Sequence, residues 1–259
     1  MIKASPKILM LTGGGDSTKF MYNGLKDEFS ISKVIIEQPV DRKTFITRRI
    51  KKLGLISVLG QVWFQLFVPK ALSILSKKRV RSILDAHDLD QTSIPESDIF
   101  QVPSVNSDAC IEFLKQEQPD VVVVNGTRII AKKVLEAVDA KFINTHVGIT
   151  PRYRGVHGGY WALANSDEEN CGVTVHLVDA GIDTGGVLYQ QNIEVTKSDN
   201  FSTYPLLQLA EGIKLMKKAI QDFSTGHLNE QEPQVPDSKL WHHPTWWYYW
   251  YKRITKGVK

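Results

Sequence analysis

Two cysteines, Cys110 and Cys171, are all that this chain of 259 residues contains. Two cannot build a disulfide framework, and their spacing suits no metal-ligand set, so both are expected as core thiols in a reducing, cytoplasmic setting. A G-x-S-x-G elbow is missing, which removes the usual support for Ser/His/Asp hydrolysis. A complete G-x-G-x-x-G after the first apolar run is missing too, so the early glycines alone do not argue for a dinucleotide site. The start, MIKASPKILMLTGGG, has an apolar stretch of only a few residues and is expected to be a first strand, not a signal peptide. Repeats and low-complexity tracts are absent. Acidic residues are absent from Arg42 to Arg81, a gap taken up below.

The bulk composition is ordinary, with 42% hydrophobic and 23% charged residues, which excludes disordered and fibrous classes. A net charge of +4 and a pI near 8.9 suit anionic small molecules, nucleic acid or an acidic membrane equally, so they discriminate little. The length suits one main domain, read here as residues 1–226, followed by an aromatic extension over 227–259.

Along the chain, KILMLT (7–12) is a strand stopped by Gly13, Gly14 and Gly15, with Asp16 or Ser17 placed to cap a helix running to about Glu28. VIIE (34–37), IFQVP (99–103), DVVVVNG (120–126) and FINTH (142–146) read as further strands. Helices are expected over about 108–116 and 130–138. VVVV has no polar face, as a strand buried on both sides of a parallel sheet requires. Residues 171–195 read as two strands around a Gly-rich turn, and a helix follows over about 202–225. The alternation predicts an α/β fold with an open, mostly parallel, Rossmann-like sheet, interrupted by a helical insertion over about 42–90. Ligands of such sheets lie beyond the carboxyl ends of the strands, where GGGDST, NGTR and NTHVG all fall.

The insertion carries eleven Lys and Arg between Arg42 and Arg81 around the apolar run LGLISVLGQVWFQLFV (53–68). That run is short for a transmembrane span and broken by Gln61, Gln65 and the following Pro69, so it is expected either to pack on the domain or a second copy, or to lie on a membrane surface. The tail, WHHPTWWYYWYKRITKGVK, is expected to cover a core edge or an oligomer interface.

Chemistry concentrates in INTHVGITPRYRGVHG (143–158). Asn144 and His146 lie two apart in an extended segment, so their side chains share a face. An amide beside an imidazole suits stabilisation of a developing oxyanion together with proton transfer. Asp183, in the glycine-flanked loop DAGIDTGG, is the candidate to hold the imidazole. Such a trio has no nucleophilic side chain, so the attacking group must come from the substrate. His146, His157 and His176 match no common zinc spacing, and no metal is expected.

The stretch Asn144-x-His146-x-Gly148-x-x-Pro151-x-Tyr153-Arg154-Gly155, followed by Asp179-x-Gly181-x-Asp183-Thr184-Gly185, resembles the folate-dependent formyltransferases. The similarity is dense over about 120–195 and does not reach 42–90 or the tail. It implies that fold, with 10-formyltetrahydrofolate as cosubstrate and Asn144, His146 and Asp183 as catalytic residues. In that family an unprotonated amine attacks the formyl carbon, His and Asn stabilise the tetrahedral intermediate, and Asp with water supports proton transfer to the folate nitrogen. The resemblance also implies that the pterin lies between Asp179, Ala180, Gly181 and Ile182 on one side and Val124, Asn125, Gly126, Thr127 and Arg128 on the other. Gly13, Gly14, Gly15, Arg152, Tyr153 and Arg154 are the candidates for substrate binding, the arginines toward phosphate. Two departures stand out: HVGITP replaces the HPSLLP of many members, and Asp16 adds a negative charge at the glycine loop.

The expected activity is N-formyl transfer to a primary amine, with an amino sugar on a nucleotide as leading acceptor. Formyltetrahydrofolate hydrolysis and a glycinamide ribonucleotide-type reaction are the alternatives. A non-enzymatic module binding membrane or nucleic acid through 42–81 is the third, and an intact trio argues against it. The expected partners are therefore a small amine, a second copy of the chain and a membrane surface touched through 42–81, with no nucleic acid.

Overall fold

The computed structural model describes residues 5–259, so the basic start over 1–4 lies outside the described residues. Five strands come first: β1 (Ile8–Thr12), β2 (Ile31–Glu37), β3 (Ile99–Val102), β4 (Val121–Asn125) and β5 (Lys141–His146). Four follow: β6 (Arg154–Gly155), β7 (Gly172–Leu177), β8 (Val187–Asn192) and β9 (Leu240–Trp241). Seven of these form one sheet in the order β3-β2-β1-β4-β5-β7-β8. The first five run parallel, while β7 and β8 are added antiparallel as a hairpin. The fold is the expected mostly parallel α/β sheet.

Helices α1 (Asp16–Lys26), α5 (Asp108–Glu117), α6 (Lys132–Leu135) and α8 (Tyr204–Thr225) belong to the sheet. Within VVVV, Val121 and Val123 join the core with α1 and α8, while Val122 and Val124 join the opposite core with α5. That is the two-faced burial which a polar-free run requires. The insertion forms α2 (Arg42–Leu53), α3 (Leu55–Leu75) and α4 (Lys77–Ala86), and α7 (Gly158–Ala164) and α9 (Trp246–Lys256) complete the set. A third, aromatic core joins α3, α7 and α9, with Phe64, Tyr160 and Tyr249 buried in it. The extension over 227–259 therefore packs into the body of the protein, and its β9 pairs with β6.

Two expected details change. The N-cap of α1 is Gly15, at φ +88°, with no side-chain cap, and Asp16 instead reaches Lys19 at 3.2 Å. The helix expected over 130–138 is a single turn. Asn106 accepts from the Ala131 N–H at 2.7 Å and donates to the Ile129 carbonyl at 2.9 Å, which holds 129–131 extended and leaves only four helical residues.

Strand order reverses between β1 and β4, and this switch point opens the crevice at their carboxyl ends. Gly13, just after β1, lies so close to the Gly126 carbonyl after β4 that a side chain would collide with it. The two loops consequently meet, and β5 delivers Asn144 and His146 beside them.

Candidate active site

The hairpin added to the parallel strands builds the site. β5 and β7 pair antiparallel with Asn144 opposite His176 and His146 opposite Thr174. Directly opposed residues share a face, so His176 is brought against Asn144 by register alone. The Asn144 Nδ2 lies 3.1 Å from His176 Nε2. His176 Nδ1 faces the Leu177 carbonyl at 2.6 Å, which can only accept, so that nitrogen carries a proton, and Nε2 is left facing both Asn144 and Asp183.

His146 is buried, and both of its ring nitrogens face acceptors. Nε2 donates to the Tyr153 carbonyl at 2.7 Å, and Nδ1 lies 3.5 Å from Asp183 Oδ2. A proton taken up at Nδ1 is met by the carboxylate, so the imidazolium form is satisfied on both sides.

Asp183 occupies the centre. Its Oδ2 accepts the Gly155 N–H at 2.8 Å, while Oδ1 lies 3.7 Å from His176 Nε2. Burial on its own would push this carboxyl up, but the facing His146 and His176 rings and the Gly155 N–H outweigh it and hold the pKa at about 2. The residue is held at φ +50°, a left-handed conformation uncommon for a side chain other than Gly, Asn or Asp. The loop that imposes it is tied by Asp179, whose Oδ1 accepts from the Gly181 N–H at 2.9 Å and from Thr184 Oγ1 at 2.7 Å. Ala180 and Gly181 are exposed at its tip, and Ile182 offers its carbonyl to Arg154 Nη1 at 3.0 Å.

The remaining residues singled out in the sequence divide by what they touch. Arg152 is clamped: its Nε and Nη2 donate to Asp237 at 2.8 and 2.7 Å, and its Nη1 donates to Asp167 at 3.0 Å. Tyr153 is buried, with its hydroxyl on Asp167 at 2.6 Å, so the carbonyl that holds His146 is itself anchored. Arg128 turns to buried Glu37, which pairs with its guanidinium at 2.5 Å and accepts its backbone N–H at 2.6 Å. Gly14 donates to Thr12 Oγ1 at 3.1 Å, and Gly13 and Gly15 are exposed at the crevice. Val124 and Asn125 are buried at the end of β4, with Gly126 exposed and Thr127 half-buried beyond them.

The Asn125 Nδ2 is buried with no hydrogen-bond partner among the described residues. A buried amide without a partner is costly, and here it lies in the loop that the resemblance implies for folate. With the exposed Asp179–Gly181 loop, the donor set fits a polar heterocycle. Among the described residues no group of three or more His, Cys, Asp or Glu is arranged to hold a metal ion. His157, included in the three-histidine grouping above, pairs instead with His243 at 2.8 Å.

The model of the family described as Formyl transferase matches residues 71–220. The chain belongs to that family. A methionyl-tRNA formyltransferase from Kosmotoga olearia is 31% identical over 131 residues, which take in 50% of this chain and 42% of that one, so the chain spans about half the length of such relatives. Among solved structures, a sugar N-formyltransferase from a Shewanella species superposes with TM-score 0.54 at 15% identity, covering 91% of this chain and 76% of that one. HypX from Aquifex aeolicus, solved in complex with tetrahydrofolic acid, superposes with TM-score 0.52 at 15% identity over 92% of this chain and 29% of its own. At such identities the two structures establish a shared fold. In this member of the family the residue that sequence reasoning left without a role is His176; the signal was its place on a strand that pairs with FINTH, visible only once the hairpin's register is known.

Proposed function

We propose that this formyl transferase moves a formyl group from 10-formyltetrahydrofolate to a primary amine, with an amino sugar carried on a nucleotide as the leading acceptor. The observation that carries the reading is the ionised Asp183 set between His146 and His176, with Asn144 on the same face. The folate supplies the activated formyl group; Asn125 and the Asp179–Ile182 loop are the residues that would hold it. The Asn144 amide opposes negative charge developing on the formyl oxygen beside it. His146 Nδ1 and Asp183 together can hold the proton that the amine must lose. No side chain in the group is a nucleophile, which suits attack by the substrate's own amine.

The sugar acceptor is supported by the sugar N-formyltransferase found among the structural neighbours. Arg152 is neutralised by two carboxylates, so phosphate recognition by the Arg152–Arg154 pair falls to Arg154, whose Nε is buried without a partner among the described residues. Thermal unfolding with a folate analogue and with a panel of nucleotide-linked amino sugars tests both halves, since a ligand of the native state raises the midpoint by mass action. A rise with folate and one sugar nucleotide is expected. A rise with folate alone removes the sugar acceptor, and no rise with folate removes the formyl-transfer reading.

A further inference from the structure

Helices α3 and α9 come from distant parts of the chain, and the portions that matter here, 55–70 and 246–256, lie outside the residues that match the family. They nevertheless build one surface. In α9 the large apolar residues left exposed are Trp247, Trp250, Tyr251 and Ile254, spaced i, i+3, i+4 and i+7, a single apolar stripe. Trp247 lies directly over Gly60 of α3, where any side chain would collide with its ring. That contact joins the stripe to a second one on α3, where Leu59, Trp63, Leu66 and Phe67 are about half exposed. The opposite face of α3 is buried, with Phe64, Val68 and Leu72 in the aromatic core.

Two large aromatic and aliphatic stripes left in water demand an occupant. Charge identifies it. Lys51 and Lys52 end the helix before α3, Lys77 and Lys78 begin the helix after it, all four exposed, and no acidic residue lies between Arg42 and Arg81 to offset them. Cations at both ends of an apolar, Trp-bearing face match an anionic lipid surface, where the apolar residues enter the acyl boundary and the lysines meet headgroups. A second copy fits worse, because a two-fold interface would set each lysine-rich end against a surface of the same sign.

Orientation follows from what α3 is tied to. It is long and apolar enough to cross a membrane, with mean hydropathy 1.4, yet it is buried along one face and its C-terminal end is held on the domain. Arg79, just after it, grips the buried Asp199 at 2.8 Å, and Asn200 donates to Ser76 Oγ at 2.6 Å. A helix buried along one face and fastened beyond its end cannot thread a bilayer.

We propose that the exposed faces of α3 and α9 form a docking surface for an anionic bilayer, on which the protein rests with these helices in the plane of the interface. The test is co-sedimentation of the full chain with phosphatidylglycerol/phosphatidylcholine vesicles and with phosphatidylcholine alone. It is combined with quenching of tryptophan fluorescence by acyl-chain-brominated lipid and with sedimentation velocity of the free protein. Binding to the anionic vesicles with quenching is expected. Lys51→Gln/Lys52→Gln/Lys77→Gln/Lys78→Gln, which touches no core residue, should weaken partitioning by about tenfold or more. Leu59→Glu/Leu66→Glu should abolish quenching while the thermal midpoint stays near that of the parent. Failure to bind either vesicle overturns the proposal, as does binding without quenching. A dimer that Leu59→Glu/Leu66→Glu dissociates, in a protein that ignores vesicles, assigns the face to a second copy instead.

Discussion

Gly148 sits where a methyl group would strike His146 Nε2 at 2.8 Å and the Tyr153 carbonyl at 2.6 Å, the two atoms that make the hydrogen bond orienting the imidazole. Gly148→Ala must therefore move one of them. Displacing a catalytic group by about an ångström can cost about a hundredfold in rate, and kcat of Gly148→Ala should fall by that order. A kcat equal to wild type would show that His146 need not hold this pose. Asp183→Asn is the cleaner probe of charge. Asn tolerates the left-handed backbone at this position and keeps an acceptor for the Gly155 N–H, so the fold should persist. Formyl transfer should drop by about a hundredfold to ten-thousandfold, the usual span for loss of a proton-transfer group. Because the Asp183 carboxyl titrates near 2, well below its ordinary value, it stays ionised through the working range. An acidic limb of the pH–rate profile above about pH 4 that vanished in Asp183→Asn, with the plateau rate unchanged, would contradict that assignment.

At the scale of elements, the join between α7 and the tail carries a pH dependence. His157, at the N-terminus of α7, and His243, just after β9, face each other at 2.8 Å. Burial, then the neighbouring positive groups, hold His243 down at about 4 and His157 well below its ordinary value. Protons therefore bind the unfolded chain first as pH falls below the ordinary histidine range. Stability from this pair is complete above about pH 6.5 and declines toward pH 4. Urea midpoints should fall over that interval in the parent and fall less in His243→Asn; equal slopes would exclude the pair as the source. The loop before α7 is governed by Asp167, which accepts from Arg152, from the Tyr153 hydroxyl and from Asn170 Nδ2. Asp167→Ala leaves the buried Tyr153 hydroxyl without that acceptor and should cost about 1–3 kcal/mol in urea unfolding. It should also slow catalysis through the Tyr153 carbonyl, and a variant with unchanged stability would break this link. These clamps mark the limit of what the sequence shows. The five parallel strands, the hairpin and α8 are legible because apolar runs and glycine turns are local signals, and Asn144, His146 and Asp183 because spacing places two of them on one face. Arg152 read as a phosphate ligand since its partners, Asp167 and Asp237, are 15 and 85 residues away. His176 became a member of the site through strand register, which periodicity does not encode. The 130–138 helix was overruled by one side chain, Asn106, from another loop.

Across the whole molecule, the insertion and the tail form a core of their own, and its coupling to the sheet is measurable because all six tryptophans lie in or beside it, at 63, 161, 241, 246, 247 and 250. Tryptophan fluorescence thus reports α3, α7, β9 and α9, while far-ultraviolet circular dichroism reports the whole chain. Besides the Asn200–Ser76 bond, further ties bind the two regions. Ile193 packs against both cores. Gln208 of α8 donates to the Gly172 carbonyl at 2.5 Å while its amide lies against Gly159 of α7. Arg79 and Asp199 lock the end of the insertion to the loop that leads into α8. With bonds of this kind crossing the boundary, urea unfolding followed by the two probes should coincide. Phe64→Ala, which empties a fully buried position between Phe201 and Tyr249, should then lower stability by about 3–5 kcal/mol and shift both transitions together. The same variant reaches toward the site, since Phe201 also lies 4.4 Å from the His157 ring, two residues after the Gly155 N–H that holds Asp183. A fluorescence transition preceding the circular dichroism change, shifted alone by Phe64→Ala, would instead make the insertion and tail a unit that melts by itself. The docking face would then belong to a segment able to loosen without disturbing the trio.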